Sequence, residues 1–341
     1  MDLDGIGFHT LRSERAESLA NSLKTGKSIL VRQGTIILTK ACNLDCKYCN
    51  SKERKGKAFT QAEIEDIIKD WSHHGCEFIH FTGGEATLLG FLPETVRYAS
   101  SLGIKTSLTS NGTARPELYQ ELIANGMVNT RISLDFNSGI ADYYSGKKGA
   151  FEKTISSIKA IAEKKGQSFN LTINTCVWKD NLPLLPEIIK DFIALGVDDI
   201  KLMPVRQWRD ELMGDYKEEY ERKILPKIIK LLPDGKYPLL RFRLPNLLTD
   251  TVSGFSSARM PKRCYLMLEE RCIDHESYYP CFIYYQESGE PIGSISESLG
   301  EQKTKIISFA LRQSVKNNIC MRNCADATNL FNCYVEDLLE T

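Results

Sequence analysis

The chain has 341 residues, 42% of them hydrophobic, so it can bury one large core and leaves room for a smaller second unit. Lysine plus arginine equals aspartate plus glutamate at 44 each, which gives no electrostatic reason to expect nucleic acid or an anionic membrane as partner. The sequence shows neither a signal-peptide pattern nor an apolar run near the roughly 18 residues that span a bilayer. We therefore expect a cytoplasmic protein without a membrane or nucleic-acid partner.

The first 205 residues alternate between predicted strands and predicted helices. Residues 1–32 predict an N-terminal helical arm, and residues 35–39 then form a β-branched strand that leads into a cysteine-rich loop. Thr60 and Glu63 form a capping box that opens the next helix. Further strands are predicted at 77–82, 105–109, 128–134, 169–177 and 199–203, and further helices at 91–102, 115–125, 149–165 and 182–195.

This alternation of strands and helices predicts an α/β fold, a partial (β/α)6 TIM-like barrel over residues 33–232. The end of that region, residues 210–232, predicts a charged helix that Pro226 kinks or interrupts. Residues 233–263 predict a connector rich in proline and glycine, and residues 264–341 form a small cysteine-rich domain. Parallel barrels of this kind carry their chemistry at the C-terminal ends of the strands.

The loop after the first strand holds Cys42, Cys46 and Cys49. Three thiolates in one tight loop can hold three corners of a four-iron four-sulfur cluster and leave one iron open to a small molecule. A zinc knuckle or three unrelated buried cysteines are the structural alternatives. Eleven cysteines in all argue for metal ligation, because disulfides are rare in a reduced compartment and an odd count leaves one cysteine unmatched.

Polar motifs follow the next three strands. Gly83 and Gly84 allow a close backbone approach, and the carboxylate of Glu85 can accept hydrogen bonds from a cationic amine. Asn111 lies in the turn after the third strand. Ser133 and Asp135 share one side of the fourth strand.

The cysteine spacing, the aromatic Tyr48 before the last cysteine and these strand-end motifs together resemble the radical S-adenosylmethionine (radical SAM) enzymes. The resemblance implies a SAM-binding 4Fe-4S cluster on Cys42, Cys46 and Cys49, and reductive cleavage of SAM to a 5'-deoxyadenosyl radical. A reductant such as flavodoxin or ferredoxin is then required.

The same resemblance implies roles for the other SAM-site residues. Glu85 in the Gly83-Gly84-Glu85 motif would bind the methionine ammonium, and Ser133 and Asp135 would approach the SAM carboxylate and ribose. Tyr48 and Met203 would lie against the adenine, and Asn111 would support the site. Two residues depart from the family pattern: Ala86 stands where proline is usual, and Ser110 stands where threonine is usual.

Six further cysteines lie in the last 78 residues, namely Cys264, Cys272, Cys281, Cys320, Cys324 and Cys333. The spacing of four of them resembles the SPASM or twitch extension, which implies an auxiliary 4Fe-4S cluster on Cys264, Cys281, Cys320 and Cys324. A structural zinc on the same four residues is the alternative. Cys272 and Cys333 are surplus to such a site, so each is either buried, a substitute ligand or a thiol hydrogen donor.

The sequence thus predicts a radical SAM oxidoreductase that abstracts hydrogen from a sugar, aminocyclitol or peptide, with the auxiliary cluster as electron acceptor. A redox-neutral epimerase that uses Cys272 or Cys333 as donor is one alternative. A non-catalytic iron-sulfur or zinc binding module is the other.

Overall fold

In the computed structural model, the protein is described for residues 12–27, 29, 31–49, 57–205, 214–248, 261–312, 319–320 and 326–341. Nine strands form one sheet in the order β6-β5-β4-β3-β2-β1-β7-β8-β9. The strands are β1 Gln33–Ile37, β2 Phe78–Thr82, β3 Lys105–Ser110, β4 Met127–Ser133, β5 Asn170–Val177, β6 Asp199–Pro204, β7 Glu270–Ile273, β8 Ser277–Tyr279 and β9 Gly293–Ser294.

Helices connect the strands and flank the sheet. They are α1 Ser13–Thr25, α2 Gln61–His73, α3 Leu92–Ser101, α4 Pro116–Ala124, α5 Ile140–Ser145, α6 Ala150–Lys164, α7 Leu185–Ala194, α8 Leu225–Leu231, α9 Pro238–Arg243, α10 Phe282–Gln286, α11 Leu299–Arg312 and α12 Asp326–Glu340. No helix among the described residues is both long and apolar enough to cross a membrane.

Strands β1 to β6 are all parallel, and each pairs with its sequence neighbour. Buried aliphatic side chains such as Ile132, Ile173 and Leu202 alternate along them with polar residues. The apolar side packs under the helices, so the polar residues face the concave side of the sheet. This is the α/β partial (β/α)6 barrel that the sequence predicts.

The local signals that predict the helices are present in the structure. The Thr60 side chain accepts the backbone N–H of Glu63, and the Glu63 carboxylate accepts the backbone N–H of Thr60, which completes the capping box of α2. One π-helical turn, Tyr220–Ile224, precedes α8. Pro226, in the first turn of α8, has no N–H to donate, and the change from the π-helical turn to the α-helix falls directly before it.

One strand and one helix differ from the sequence prediction. Strand β1 spans Gln33–Ile37 rather than 35–39. The short helix α5 was not predicted, since six residues are too few for a clear periodic pattern.

The C-terminal part of the chain extends the barrel sheet. Strand β7 runs parallel to β1, with Thr35 opposite Cys272, and then turns back into the antiparallel β8. The predicted N-terminal arm lies here too, because Ala16 and Leu19 of α1 pack with Phe331 and Val335 of α12. The described residues at both ends of the chain therefore share one apolar cluster.

Candidate functional site

The cysteine loop lies at the C-terminal end of β1, as predicted, and α5 holds it in place. Asp45 N–H donates to the Ser145 carbonyl at 2.8 Å, and Lys47 N–H donates to the Tyr144 carbonyl at 3.0 Å. The three cysteines of the loop are half-buried. The loop is thus fixed by its backbone, and its cysteine side chains remain partly accessible.

The two glycines after β2 pack directly on the segment that leads into the cysteine loop. Gly84 N–H donates to the Thr39 carbonyl at 2.7 Å, and Glu85 N–H donates to the Ala41 carbonyl at 2.8 Å. A Cβ on Gly83, whose φ is +149°, would lie 2.3 Å from the Thr39 carbonyl oxygen, and one on Gly84 would lie 2.2 Å from that of Ala41. Both positions therefore require glycine for contact with the protein's own backbone.

The Glu85 carboxylate is almost fully buried and is surrounded by donors from the protein. One oxygen accepts the Thr87 N–H at 3.0 Å, the Thr87 hydroxyl at 2.7 Å and the Ser110 hydroxyl at 2.9 Å. The other oxygen accepts the Asn111 N–H at 2.7 Å. Burial raises the pKa of Glu85, while the bonds from Asn111 and Thr87 lower it.

The amine contact predicted for Glu85 stays a prediction. Three of the four protein donors share Oε1, whereas Oε2 accepts one hydrogen bond and can accept another. The side chain ties the end of β2 to the end of β3, so its position is that of a structural support for the loop.

Asn111 connects the third strand end to the cysteine loop. Its Nδ2 donates to Asn43 Oδ1 at 2.8 Å and lies 3.9 Å from Cys42 Sγ. Its Oδ1 accepts the Thr113 N–H and hydroxyl. Asn111 thus links the end of β3 to two residues of the cysteine loop, Asn43 and Cys42.

A pocket opens beside this loop at the C-terminal edge of the sheet. It is lined by Cys46, Tyr48, Asn111, Ser133 and Asp135, with apolar and aromatic neighbours. Ser133 is exposed there. Five residues that the sequence placed at one site are therefore together in the structure, whereas Met203 lies half-buried at the end of β6, opposite Cys176.

Tyr48 and Asp135 contact each other within this pocket. The Tyr48 hydroxyl donates to one carboxylate oxygen of Asp135, and the other oxygen accepts the Cys176 N–H at 2.7 Å. Burial raises the pKa of Asp135 to about 7. The ring of Tyr48 lies 5.0 Å from that of Trp178, centroid to centroid.

These contacts add detail that the sequence did not predict. Trp178, Phe136 and Tyr144 form an aromatic cluster beside Tyr48. The Tyr48 hydroxyl and both carboxylate oxygens of Asp135 are hydrogen-bonded within the protein. Contacts of the two residues with adenine and ribose remain predictions.

The residues of the loop fit a cluster with three cysteine ligands. All three cysteines lie on one loop, Cys46 lines the pocket and Asn111 supports Cys42. Burial raises the pKa of Cys176 on β5, and Asp135, Cys46 and Cys49 raise it further, which shows that β5 passes close to the loop. Cys42, Cys46 and Cys49 are thus the residues that would hold the cluster.

The C-terminal cysteines approach one another around the β7–β8 hairpin. Burial raises the pKa of Cys281, with Glu270, Cys264 and Cys320 adding to the increase. The Asn332 side chain hydrogen-bonds Cys264 and lowers the pKa of that thiol, which burial raises to about 11. An amide N–H that donates to a cysteine sulfur suits the thiolate ligand of a cluster or metal site.

Of the other three C-terminal cysteines, the structure describes two. Cys272 is fully buried on β7, and Cys333 is half-buried on α12. Cys324 lies outside the described residues. Within the described residues, no group of three or more histidine, cysteine or acidic side chains is arranged to hold a single metal ion.

Comparison with known proteins places residues 36–195 in the Radical SAM superfamily. The chain is 31% identical over 176 residues to the PqqA peptide cyclase of Bradyrhizobium diazoefficiens, which covers 50% of this chain and 46% of that protein. It is 32% identical over 158 residues to the AdoMet-dependent heme synthase of Nitratidesulfovibrio vulgaris, covering 45% and 42%. The chain thus spans less than half the length of these two relatives.

The fold is also similar to that of a solved structure, Streptococcus suis SuiB bound to the precursor peptide SuiA. The TM-score is 0.59 at 15% identity, over 95% of this chain and 76% of that one. At this identity the similarity establishes the fold alone.

Proposed function

Since this chain belongs to the radical SAM superfamily, we propose that it reductively cleaves SAM and abstracts a hydrogen atom from an unactivated carbon of a peptide. The observation that carries the proposal is the loop of Cys42, Cys46 and Cys49 beside an accessible pocket at the C-terminal edge of the barrel. A non-catalytic binding module would not need Ser133 exposed in that pocket beside the loop.

The protein's part in this chemistry is to bind, orient and exclude water. When bound, the cluster and SAM supply the 5'-deoxyadenosyl radical, given an electron from a reductant such as flavodoxin or ferredoxin. Cys42, Cys46 and Cys49 hold the cluster, and Asn111 and the Gly83-Gly84 turn fix the loop that carries them. The aromatic cluster around Tyr48 keeps water from one wall of the pocket.

Among the candidate substrates, the relatives favour a peptide over a sugar or an aminocyclitol. One relative is named a peptide cyclase, and one solved structure of similar fold holds a precursor peptide. The modification of a natural-product peptide is therefore the activity we propose.

We further propose a second 4Fe-4S cluster on Cys264, Cys281, Cys320 and Cys324, which accepts the electron of the product radical and makes the enzyme an oxidoreductase. Support comes from the raised pKa of Cys281, to which Cys264 and Cys320 both contribute, and from the Asn332 side chain, which hydrogen-bonds Cys264. Anaerobic reconstitution is expected to load about eight irons per chain. Four irons together with one zinc would favour the structural zinc site.

The outcome at the attacked carbon separates oxidation from epimerisation. Turnover of a candidate peptide in deuterated water is expected to give a product that has lost two hydrogens and gained no deuterium at that carbon. A product of unchanged formula that carries one deuterium at an inverted carbon would support the epimerase alternative. Loss of that product in Cys272→Ala or Cys333→Ala would then identify the thiol donor.

A further inference from the structure

Asn332, on the C-terminal helix α12, is fully buried against the segment that carries Cys264. Its Oδ1 accepts the backbone N–H of Tyr265 at 2.8 Å and that of Leu266 at 3.2 Å, which are the two residues after the cysteine. These two bonds fix the orientation of the amide, because a flipped amide would set its NH2 group against both donors. The NH2 group is therefore the part of the side chain that can contact a different partner.

The sulfur of Cys264 is that partner. Burial raises the pKa of the Cys264 thiol to about 11, while hydrogen bonds from the Met267 backbone and from the Asn332 side chain lower it. A bond that favours the thiolate is one that the amide donates, since a thiolate sulfur can only accept. The sulfur thus has one donor from the main chain and one from a side chain.

Further contacts of α12 hold Asn332 in this position. Glu336, one helical turn later, accepts the backbone N–H of Lys262 at 2.6 Å, so α12 anchors the segment on both sides of the cysteine. Phe331, the residue before Asn332, packs with α1 in a buried apolar cluster. The amide is thus held beside the sulfur by packing as well as by hydrogen bonds.

A hydrogen bond to a ligand sulfur changes the reduction potential of an iron-sulfur cluster. The electron that reduces the cluster adds negative charge to its sulfurs, and a hydrogen bond to a more negative acceptor is stronger. A donor at the sulfur therefore stabilises the reduced state more than the oxidised state and raises the potential. A higher potential makes the cluster a better electron acceptor, which is the part that the proposed oxidation assigns to it.

The donors on these sulfurs differ in whether a substitution can remove them. Cys281 accepts the backbone N–H of Tyr284 at 3.4 Å, and a change of side chain leaves such a donor in place. Asn332 donates from its side chain, so its contribution can be measured by replacing it.

We propose that Asn332 donates a hydrogen bond to the Cys264 ligand of the second cluster and thereby raises the potential at which that cluster accepts an electron. The inference rests on the proposed second cluster and goes beyond it, because it names a residue that sets the potential without being a ligand. Asn332 acts through Cys264, so it is a positioning residue rather than a catalytic one.

The test uses the full chain with Cys42→Ala, Cys46→Ala and Cys49→Ala, so that only the C-terminal cluster is read after anaerobic reconstitution. Iron analysis is expected to give about four irons per chain. A redox titration followed by electron paramagnetic resonance then gives the midpoint potential. Asn332→Leu, which is similar in shape and has no donor, is expected to lower the equilibrium constant of reduction about tenfold, or about 59 mV for one electron.

Two more variants separate the donor from the anchoring of α12. Asn332→Asp keeps an acceptor for the Tyr265 and Leu266 N–H groups and loses the donor, so it is expected to lower the potential at least as far. Glu336→Gln is the matched control, since it keeps an acceptor for Lys262 and removes a negative charge. Its potential is expected to equal or exceed that of the parent chain. A fall equal to that in Asn332→Leu would overturn the proposal, because the anchoring would then set the potential.

The remaining outcomes distinguish this inference from the proposed function. Four irons with an unchanged potential in Asn332→Leu would overturn this inference alone. Loss of iron from both Asn332 variants would also overturn it, since the residue would then retain a ligand rather than tune the cluster. Zinc without iron at this site would overturn the second cluster and this inference with it. Formation of 5'-deoxyadenosine by the wild type tests the first cluster separately.

Discussion

The Glu85 carboxylate accepts the backbone N–H of Asn111 at 2.7 Å, which joins the turn after β2 to the turn after β3. Asn111 in turn reaches Asn43 and Cys42 with its side chain. Glu85 therefore supports Cys42 through a single intervening residue. Its hydrogen bonds help to position the cysteine loop, and its contact with the SAM amine stays a prediction.

Glu85→Gln is expected to lower the free energy of unfolding by about 1–3 kcal/mol, because the Nε2 of glutamine cannot accept a hydrogen bond from the donors that face it. Ser110 and Thr87 donate to one oxygen, and Asn111 donates to the other. In either orientation of the glutamine amide, its NH2 group therefore faces at least one N–H or O–H donor and cannot accept a hydrogen bond from it. Urea denaturation of the anaerobic protein measures the change.

The matched control for Glu85→Gln is Glu94→Gln, which alters an exposed carboxylate on α3. A stability equal to that of the control, together with a tenfold loss of SAM affinity, would show instead that Glu85 is a direct ligand.

Gly84→Ala is expected to displace the entry to the cysteine loop and to lower the free energy of unfolding by about 1–3 kcal/mol, because the added Cβ would overlap a backbone atom that cannot move alone. The nearest atom is the Ala41 carbonyl oxygen, at 2.2 Å. Gly90→Ala is the matched control, since its Cβ would meet nothing within 4 Å. Equal stabilities and equal iron contents of the two variants would contradict the close packing described here.

Asp199 is expected to make stability depend on pH in the weakly acidic range. Burial raises the pKa of this carboxyl to about 6, above an ordinary value near 4. Between about pH 4 and pH 6 the folded chain keeps a proton that the unfolded chain loses, so stability falls as pH rises and is level above that range. The full effect is at most roughly 3 kcal/mol.

Asp199→Asn removes this titration and keeps one oxygen for the Ile200 and Leu240 N–H groups. The difference in unfolding free energy between wild type and variant is therefore expected to shift in favour of the variant as pH rises from 4 to 6. A difference that stays constant over this range would show that Asp199 titrates normally.

The sequence predicted the barrel because each of its six strands, and each helix of the first 205 residues except α5, carries its own local signal. The apolar pattern of β4, the capping box at Thr60 and the strand-end motifs are all local. They also sufficed to place Cys46, Tyr48, Asn111, Ser133 and Asp135 at one pocket, since parallel strands end at one edge.

What the sequence did not predict depends on contacts between distant segments. Helix α5 is too short to show periodicity, yet its carbonyls at Tyr144 and Ser145 hold the cysteine loop. The pairing of β7 with β1 joins residues more than two hundred positions apart. Likewise, the donors around Glu85 come from two separate strand ends, and only the fold shows that its carboxylate is already bonded.

The central claim is that Cys42, Cys46 and Cys49 hold a cluster that cleaves SAM. The most direct measurement is the 5'-deoxyadenosine formed by the anaerobically reconstituted protein with SAM and dithionite, for wild type, Cys46→Ala and Cys76→Ala. Cys46 lines the pocket, whereas Cys76 is buried two residues before β2 and serves as the matched control. We predict formation by wild type and Cys76→Ala and none by Cys46→Ala, because two thiolates cannot retain the cluster. Formation by Cys46→Ala at the wild-type rate, or none by the iron-loaded wild type, would contradict the account.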